Sequence, residues 1–223
     1  MIGDVVMVQT QSGTVMRSRP HGSHVRSEAQ IAQGRRLELA RFAWERLSDE
    51  EAGAWRVYAL EQAASSPRGS RKRMTSGWSA FSGLASKYLQ IHGGRTVPSL
   101  PPLGRFLGDA LEVSVSTSEN PTPAPPQGEG FWLTFSADGA NRPGVLTEIK
   151  AQPLRSRHNL PNPNSYVTIG FVSFEAGVPV ELAVTLPGTW ACAVRFVEAA
   201  TGRMTELIPI GKATTASTSE TAS

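Results

Sequence analysis

Covalent and metal staples are scarce in this sequence. Cys192 is the single cysteine among 223 residues, which excludes a disulfide within one chain. Its neighbours Trp190, Ala191, Ala193 and Val194 read as strand core, so a buried, inert thiol is expected. Histidine numbers only four. His21 and His24 form a His-x-x-His pair, but Pro20 and Gly22 put them in a loop with no cysteine or third ligand beside them, and no metal site is expected. His92 ends a helical pattern, where it complements the helix dipole; His158 lies in a polar loop. Long apolar runs are missing as well. No window approaches the roughly 18 to 20 apolar residues of a membrane span, and the first residues lack the basic start and apolar block of a secretory signal. These absences lead to the expectation of a soluble, cytoplasmic origin without membrane attachment.

Chemistry-bearing motifs are equally thin. Gly77-Trp78-Ser79-Ala80-Phe81 lacks the second glycine of a nucleophile elbow. Gly93-Gly94 precedes neither a lysine nor a helix, which excludes a phosphate loop or a dinucleotide fingerprint there. Asp49-Glu50-Glu51 is a carboxylate run, yet its place after Ser48 makes it a helix start. No acid, base and nucleophile occur as a set, so the expectation is a non-enzyme with no catalytic residue and no cofactor. A period of 20 to 50 residues is also lacking, which excludes a repeat array.

What is present points to a loop-rich globular protein. Hydrophobic residues make up 39% and charged residues 18%, with 21 Gly and 16 Pro, a balance unlike that of disordered or fibrous chains. Charge is unevenly spread. Residues 1–105 hold 15 Lys+Arg against 8 Asp+Glu, a net +7, and residues 106–223 hold 7 against 11, a net −4. A basic module followed by an acidic one is expected.

Val5–Val8 and Thr14–Arg17 are short strand-like runs flanking a Gln11-Ser12-Gly13 turn, which predicts a hairpin. After the breaker at Pro20–Ser23, Ser27-Glu28-Ala29-Gln30 opens a helix whose apolar residues Leu37, Ala40, Trp44 and Leu47 recur at three- and four-residue steps. Ser48 with Glu51 forms a capping box, so a second helix runs from Asp49 to Ala64 and turns Trp55 with Tyr58 or Ala59 inward. Trp78, Phe81, Ala85 and Tyr88 share one face of a third helix that Gly93-Gly94 stops. Between the last two helices, Arg68, Arg71, Lys72 and Arg73 form an exposed basic loop. With Arg17 and Arg19, these cations are the candidate contacts to a partner or to phosphate groups.

Beyond residue 97 the period changes to two. Seven candidate strands follow: Leu111–Ser116, Phe131–Ser136, Val145–Gln152, Tyr166–Val172, Val180–Leu186, Ala191–Val197 and Met204–Ile208. Seven short strands separated by turn residues in roughly 100 residues predict a two-sheet sandwich. Arg195 interrupts an otherwise apolar face and is expected at an edge or mouth. Trp132 and Trp190 offer platforms for a sugar, although strand aromatics more often build core. The expected fold class is therefore α+β and multidomain. Residues 1–96 form a basic hairpin-plus-three-helix module, 97–108 a Pro-rich linker, 109–211 an immunoglobulin- or fibronectin III-like β-sandwich, and 212–223 a Ser/Thr-rich tail.

A resemblance rests on the order of several short motifs. Gly13-Thr14-Val15 leads to Arg17–Pro20, then Ser27-Glu28-Ala29-Gln30, Arg35 or Arg36 and Phe42. Leu47-Ser48 to Trp55, Tyr58-Ala59, and Ser76-Gly77 with Phe81 follow, and Arg195-Phe196-Val197 to Thr201-Gly202-Arg203 comes last. This order is similar to that of poorly characterised structural proteins of phages and prophages. The resemblance implies a virion location, as a capsid-decoration, minor-capsid or head-tail component, with other virion proteins as partners in many copies. It supplies no catalytic residues. The alternative expectation is a nucleic-acid-binding protein using the basic loop at 68–73. The stretch from Phe42 to Glu51 also resembles the second half of an HMG box, without that family's upstream strand and aromatic first helix.

Overall fold

The computed structural model describes residues 5–10, 13–18, 26–64, 76–117 and 131–215. It divides into two compact units, Met1–Arg35 and Arg36–Ser223. In the first unit, strands β1 (Val5–Thr10) and β2 (Gly13–Ser18) pair antiparallel with Met7 opposite Met16 and Val8 opposite Val15. Helix α1 (Glu28–Trp44) then opens at Ser27. The Ser27 backbone N–H donates to Gln30 Oε1 at 3.0 Å and Gln30 N–H donates to Ser27 Oγ at 3.3 Å. Each side chain satisfies a backbone donor that the first helical turn leaves without a partner.

The second unit holds the rest of α1, α2 (Asp49–Ala64) and α3 (Gly77–His92). The expected box at Ser48 forms: Ser48 N–H donates to Glu51 Oε2 at 2.8 Å, and Glu51 N–H to Ser48 Oγ at 3.2 Å. Helix α3 closes at Gly93, whose φ of 63° is a left-handed cap that lets its N–H reach Leu89 O. Ala40, Trp55, Phe81 and Ala85 form the buried centre of the helical part, with Trp44, Tyr58 and Trp78 packed around it. Phe81 meets Trp55 edge-on at 5.1 Å and Trp44 at 5.3 Å between ring centres, the tilted geometry that aromatic quadrupoles favour. Leu37, expected inward, is 41% exposed.

Seven strands follow. β3 (Val113–Thr117), β4 (Phe131–Ala137) and β7 (Val180–Val184) make one antiparallel sheet in the order β3-β4-β7. β5 (Val145–Leu154), β6 (Val167–Val172), β8 (Thr189–Glu198) and β9 (Ile208–Thr214) make another, in the order β6-β5-β8-β9. One buried cluster takes residues from both sheets, among them Leu133 and Phe135 from the first and Ile149, Ala151, Cys192 and Val194 from the second. With three α-helices and antiparallel sheets among the described residues, the protein is a mixed α+β fold.

Differences from expectation concentrate at the last strand and at β8. Met204 makes only an isolated bridge to Val197, and the strand itself starts at Ile208. Pro209 weakens the strand pattern there, but β9 pairs within its sheet only with β8, on the edge where a missing N–H is tolerated. β8 is buried on both faces: Cys192 and Val194 point into the shared core, while Ala191, Ala193 and Val197 on the other side are also at most 1% exposed. An alternating pattern presupposes one wet face, and this strand has none.

Candidate functional site

Lys87 lies on α3 two positions beyond Ala85, so an ideal helix turns its side chain roughly 200° away from the aromatic core. On that opposite side its Nζ donates to Glu148 Oε1 on β5 at 3.0 Å and to Gln90 Oε1 at 2.6 Å. Thr168 Oγ1 on β6 donates to the same carboxylate oxygen at 2.5 Å, and Arg195 Nε on β8 reaches Oε2 at 2.6 Å. Strand register explains the convergence, since Glu148 stands opposite Arg195 on one side and Phe171 on the other. Lys87 Nζ also sits 5.2 Å from the centre of the Phe171 ring.

Glu148 is fully buried and Lys87 is 7% exposed. Burial raises the Glu148 carboxyl, but the hydrogen bonds from Arg195 and Thr168 and the charges of Lys87 and Arg195 outweigh it and hold the group at about 2. Desolvation pulls the Lys87 ammonium down to about 8 against the pull of Glu148. Lys150, next on the same face of β5, is held below the usual lysine range by burial and by the charge of Arg195, despite Glu148 nearby. An ionised carboxylate at zero exposure is tolerable only because three donors surround it.

A second set of contacts ties the Thr-Gly turn after β8 to α3 and to the Pro-rich stretch. Gly202 has φ +77°, and a Cβ there would stand 2.5 Å from Leu84 O and 2.9 Å from Tyr88 N. His92 Nε2 donates to Ala199 O at 2.8 Å. Arg203 grips Glu198 through Nε at 2.9 Å and Nη2 at 2.8 Å while its Nη1 donates to Gly104 O at 2.7 Å. Trp55 Nε1 donates to Ser99 O at 2.7 Å. Residues 97–108 thus contain no helix or strand but are pinned along their length. Where they enter the β body, Asp109 accepts from Arg142 N–H at 2.8 Å and from Asn141 Nδ2 at 3.2 Å. Asn141 in turn bonds Thr147 and accepts from Phe174 N–H at 2.7 Å.

Of the candidates read from sequence, Arg17 lies on β2 opposite Val6, and its side chain is outside the described structure. Arg19, Arg68, Arg71, Lys72 and Arg73 fall outside the described residues, as do His21 and His24. Arg195 is not at an edge: it sits on β8 between β5 and β9, with its side chain 19% exposed. Trp190 is core, its Nε1 donating to Leu186 O at 3.1 Å. Trp132 is half-buried, and its indole N–H has no hydrogen-bond partner among the described residues. Lys87 and Glu148 carried no signal as single residues; the break in the apolar period at Glu148 and Arg195 was the available one.

Among the described residues no three His, Cys, Asp or Glu side chains cluster closely enough to hold a metal ion, and no helix is long and apolar enough to cross a membrane. A crevice lined by Trp55, Phe81, Leu84, Pro98, Leu100 and Pro102 encloses about 220 Å³ including its open mouth. No ionisable side chain among the described residues lines it. No protein-family model, curated protein or solved structure matches the chain.

Proposed function

We propose that this chain is a non-enzymatic structural protein of a phage-type virion, docking on neighbouring proteins in many copies through its N-terminal hairpin and helices. The observation that carries this reading is the hairpin itself. Met7 and Met16 are directly opposed and are 68% and 63% exposed, and Val15, one position away, is 48% exposed. A lone two-stranded hairpin is marginal in water, and one that leaves large apolar side chains uncovered gains stability when another surface covers them. The motif order in the sequence supplies the phage-type setting.

The β body is read as a fibronectin III-like sandwich carried by that dock. Its first, second and fifth strands share one sheet, and its fourth, third, sixth and seventh share the other. Neither the paired cysteines nor the third-strand tryptophan of antibody domains is present in Val145–Leu154 or beside Cys192, which favours the fibronectin type over the antibody type.

Mass measurement in solution, followed by cryo-EM of particles from the source, tests the proposal. The expected result is concentration-dependent assembly or density for the chain on particles, lost in a Met7→Lys, Met16→Lys double variant that keeps its secondary structure. A monomer at every concentration, absent from particles, overturns it.

A further inference from the structure

Among the described residues, the seam between α3 and the four-stranded sheet sets three cations around one carboxylate. Lys87, Lys150 and Arg195 surround Glu148, and Gln90, Thr168 and Phe171 complete the surroundings without a charge. Among the described residues two cationic charges are left over. Glu148 has little to offer a third cation: its two oxygens already accept from Lys87, Thr168 and Arg195, three of the roughly four acceptor positions a carboxylate possesses.

The unpaired valence is specific. Arg195 meets Glu148 through Nε, and among the described residues its Nη1 and Nη2 make no hydrogen bond. Lys150 Nζ likewise makes no hydrogen bond or ion pair among them, although the residue is half-buried. A lysine without a hydrogen-bonded partner normally extends its ammonium into water; this one stays partly desolvated, attracted by Glu148 at longer range and repelled by Arg195. Register places the two on one sheet face, since Lys150 is two residues along β5 from Glu148, the position opposite Arg195. Such diagonal neighbours stand roughly 7–8 Å apart at the backbone, a span that the two long side chains can close around one tetrahedral oxyanion.

We infer that Lys150 and the free Nη1–Nη2 edge of Arg195 form a binding site for a phosphate-type oxyanion, on a floor built by the Lys87–Glu148 pair. A guanidinium edge presents two parallel N–H donors matched to two oxygens of one phosphate, and an ammonium supplies a point charge for a third. The buried pair fixes Arg195 through Nε, so the edge is pre-oriented before the anion arrives. An oxyanion between the two cations also removes their mutual repulsion.

The experiment is titration of the whole chain with inorganic phosphate, read by calorimetry and by thermal shift, against chloride at the same ionic strength. Saturable stabilisation beyond that of chloride is expected. Lys150→Ala should weaken phosphate binding about tenfold to a hundredfold, the loss of one charge-assisted hydrogen bond set, without lowering the melting temperature of the free protein. Arg195→Lys keeps a cation for Glu148 but removes the fork, and should weaken binding similarly. A short single-stranded oligonucleotide separates the sources. If its affinity falls in Lys150→Ala, the phosphate belongs to a nucleic-acid backbone; if only free phosphate depends on Lys150, the site takes the free ion. No response beyond chloride, or equal phosphate and oligonucleotide affinities with and without Lys150, overturns the inference.

Discussion

At the residue scale, Glu148 is the side chain on which the seam depends. Its carboxylate is buried from solvent, so every donor around it replaces a hydration bond. Removing the carboxylate by Glu148→Ala leaves Lys87 and Arg195 facing each other without a counter-charge, and breaking a buried pair this way costs about 3–5 kcal/mol. Lys87→Met should cost less, because Arg195 and Thr168 remain on the carboxylate and a methionine fills the apolar space against Phe171. Denaturant midpoints at constant slope measure both. Equal losses in the two variants would contradict the ranking. Asn141 plays a comparable part without charge, joining Asp109, Thr147 and the Phe174 backbone.

At the scale of elements, α3 is the piece with two jobs. One face supplies Phe81 and Ala85 to the helical core, while Lys87 and the Leu84–Tyr88 backbone meet the β body and its Thr-Gly turn. Gly202 sets that distance. Gly202→Ala demands a left-handed φ from alanine and drives a methyl into helix backbone that cannot move aside, each strain costing about 1–3 kcal/mol. Loss of stability together with faster hydrogen exchange in α3 is expected; unchanged exchange in α3 would show that the turn does not hold the helix. Much of this was legible beforehand. Capping chemistry marks α2 to the residue, Gly93 marks the end of α3, and six of seven strands lie close to where alternation puts them. The seventh was hidden by Pro209, and the half-turn from Ala85 to Lys87 was hidden because helical periodicity reports one buried face, whereas α3 has two. Glu148 is invisible for a related reason: sequence shows a charge within a strand, not the cations that long-range pairing brings to it. The cations that do stand out in sequence, Arg68 to Arg73, lie outside the described residues.

At the scale of the whole molecule, these buried ions set how stability depends on pH. Glu148 has a folded pKa of about 2 against 4.5 for a free glutamate. Its contribution is complete above about 4.5 and is lost as pH falls through 2, because the unfolded chain binds the proton first. Asp109 and Glu198, also held below their ordinary values, act in the same direction. Lys87 behaves differently from a surface lysine pair. Its folded value near 8 lies below the free value of 10.5, so between those limits the unfolded chain holds the extra proton and stability gains as pH rises, until Tyr58, pushed up by burial, opposes it. A stability profile that falls steeply on the acid side and stays level or rises just above pH 8 is therefore expected. Glu148→Gln should flatten the acid limb, since the amide cannot titrate, and Lys87→Met should shrink the alkaline rise to the part that Lys150, also held below its ordinary value, contributes. Urea denaturation at successive pH values reads both limbs, and an acid limb equally steep in Glu148→Gln would assign acid unfolding to the other carboxylates and remove Glu148 from the centre of the seam.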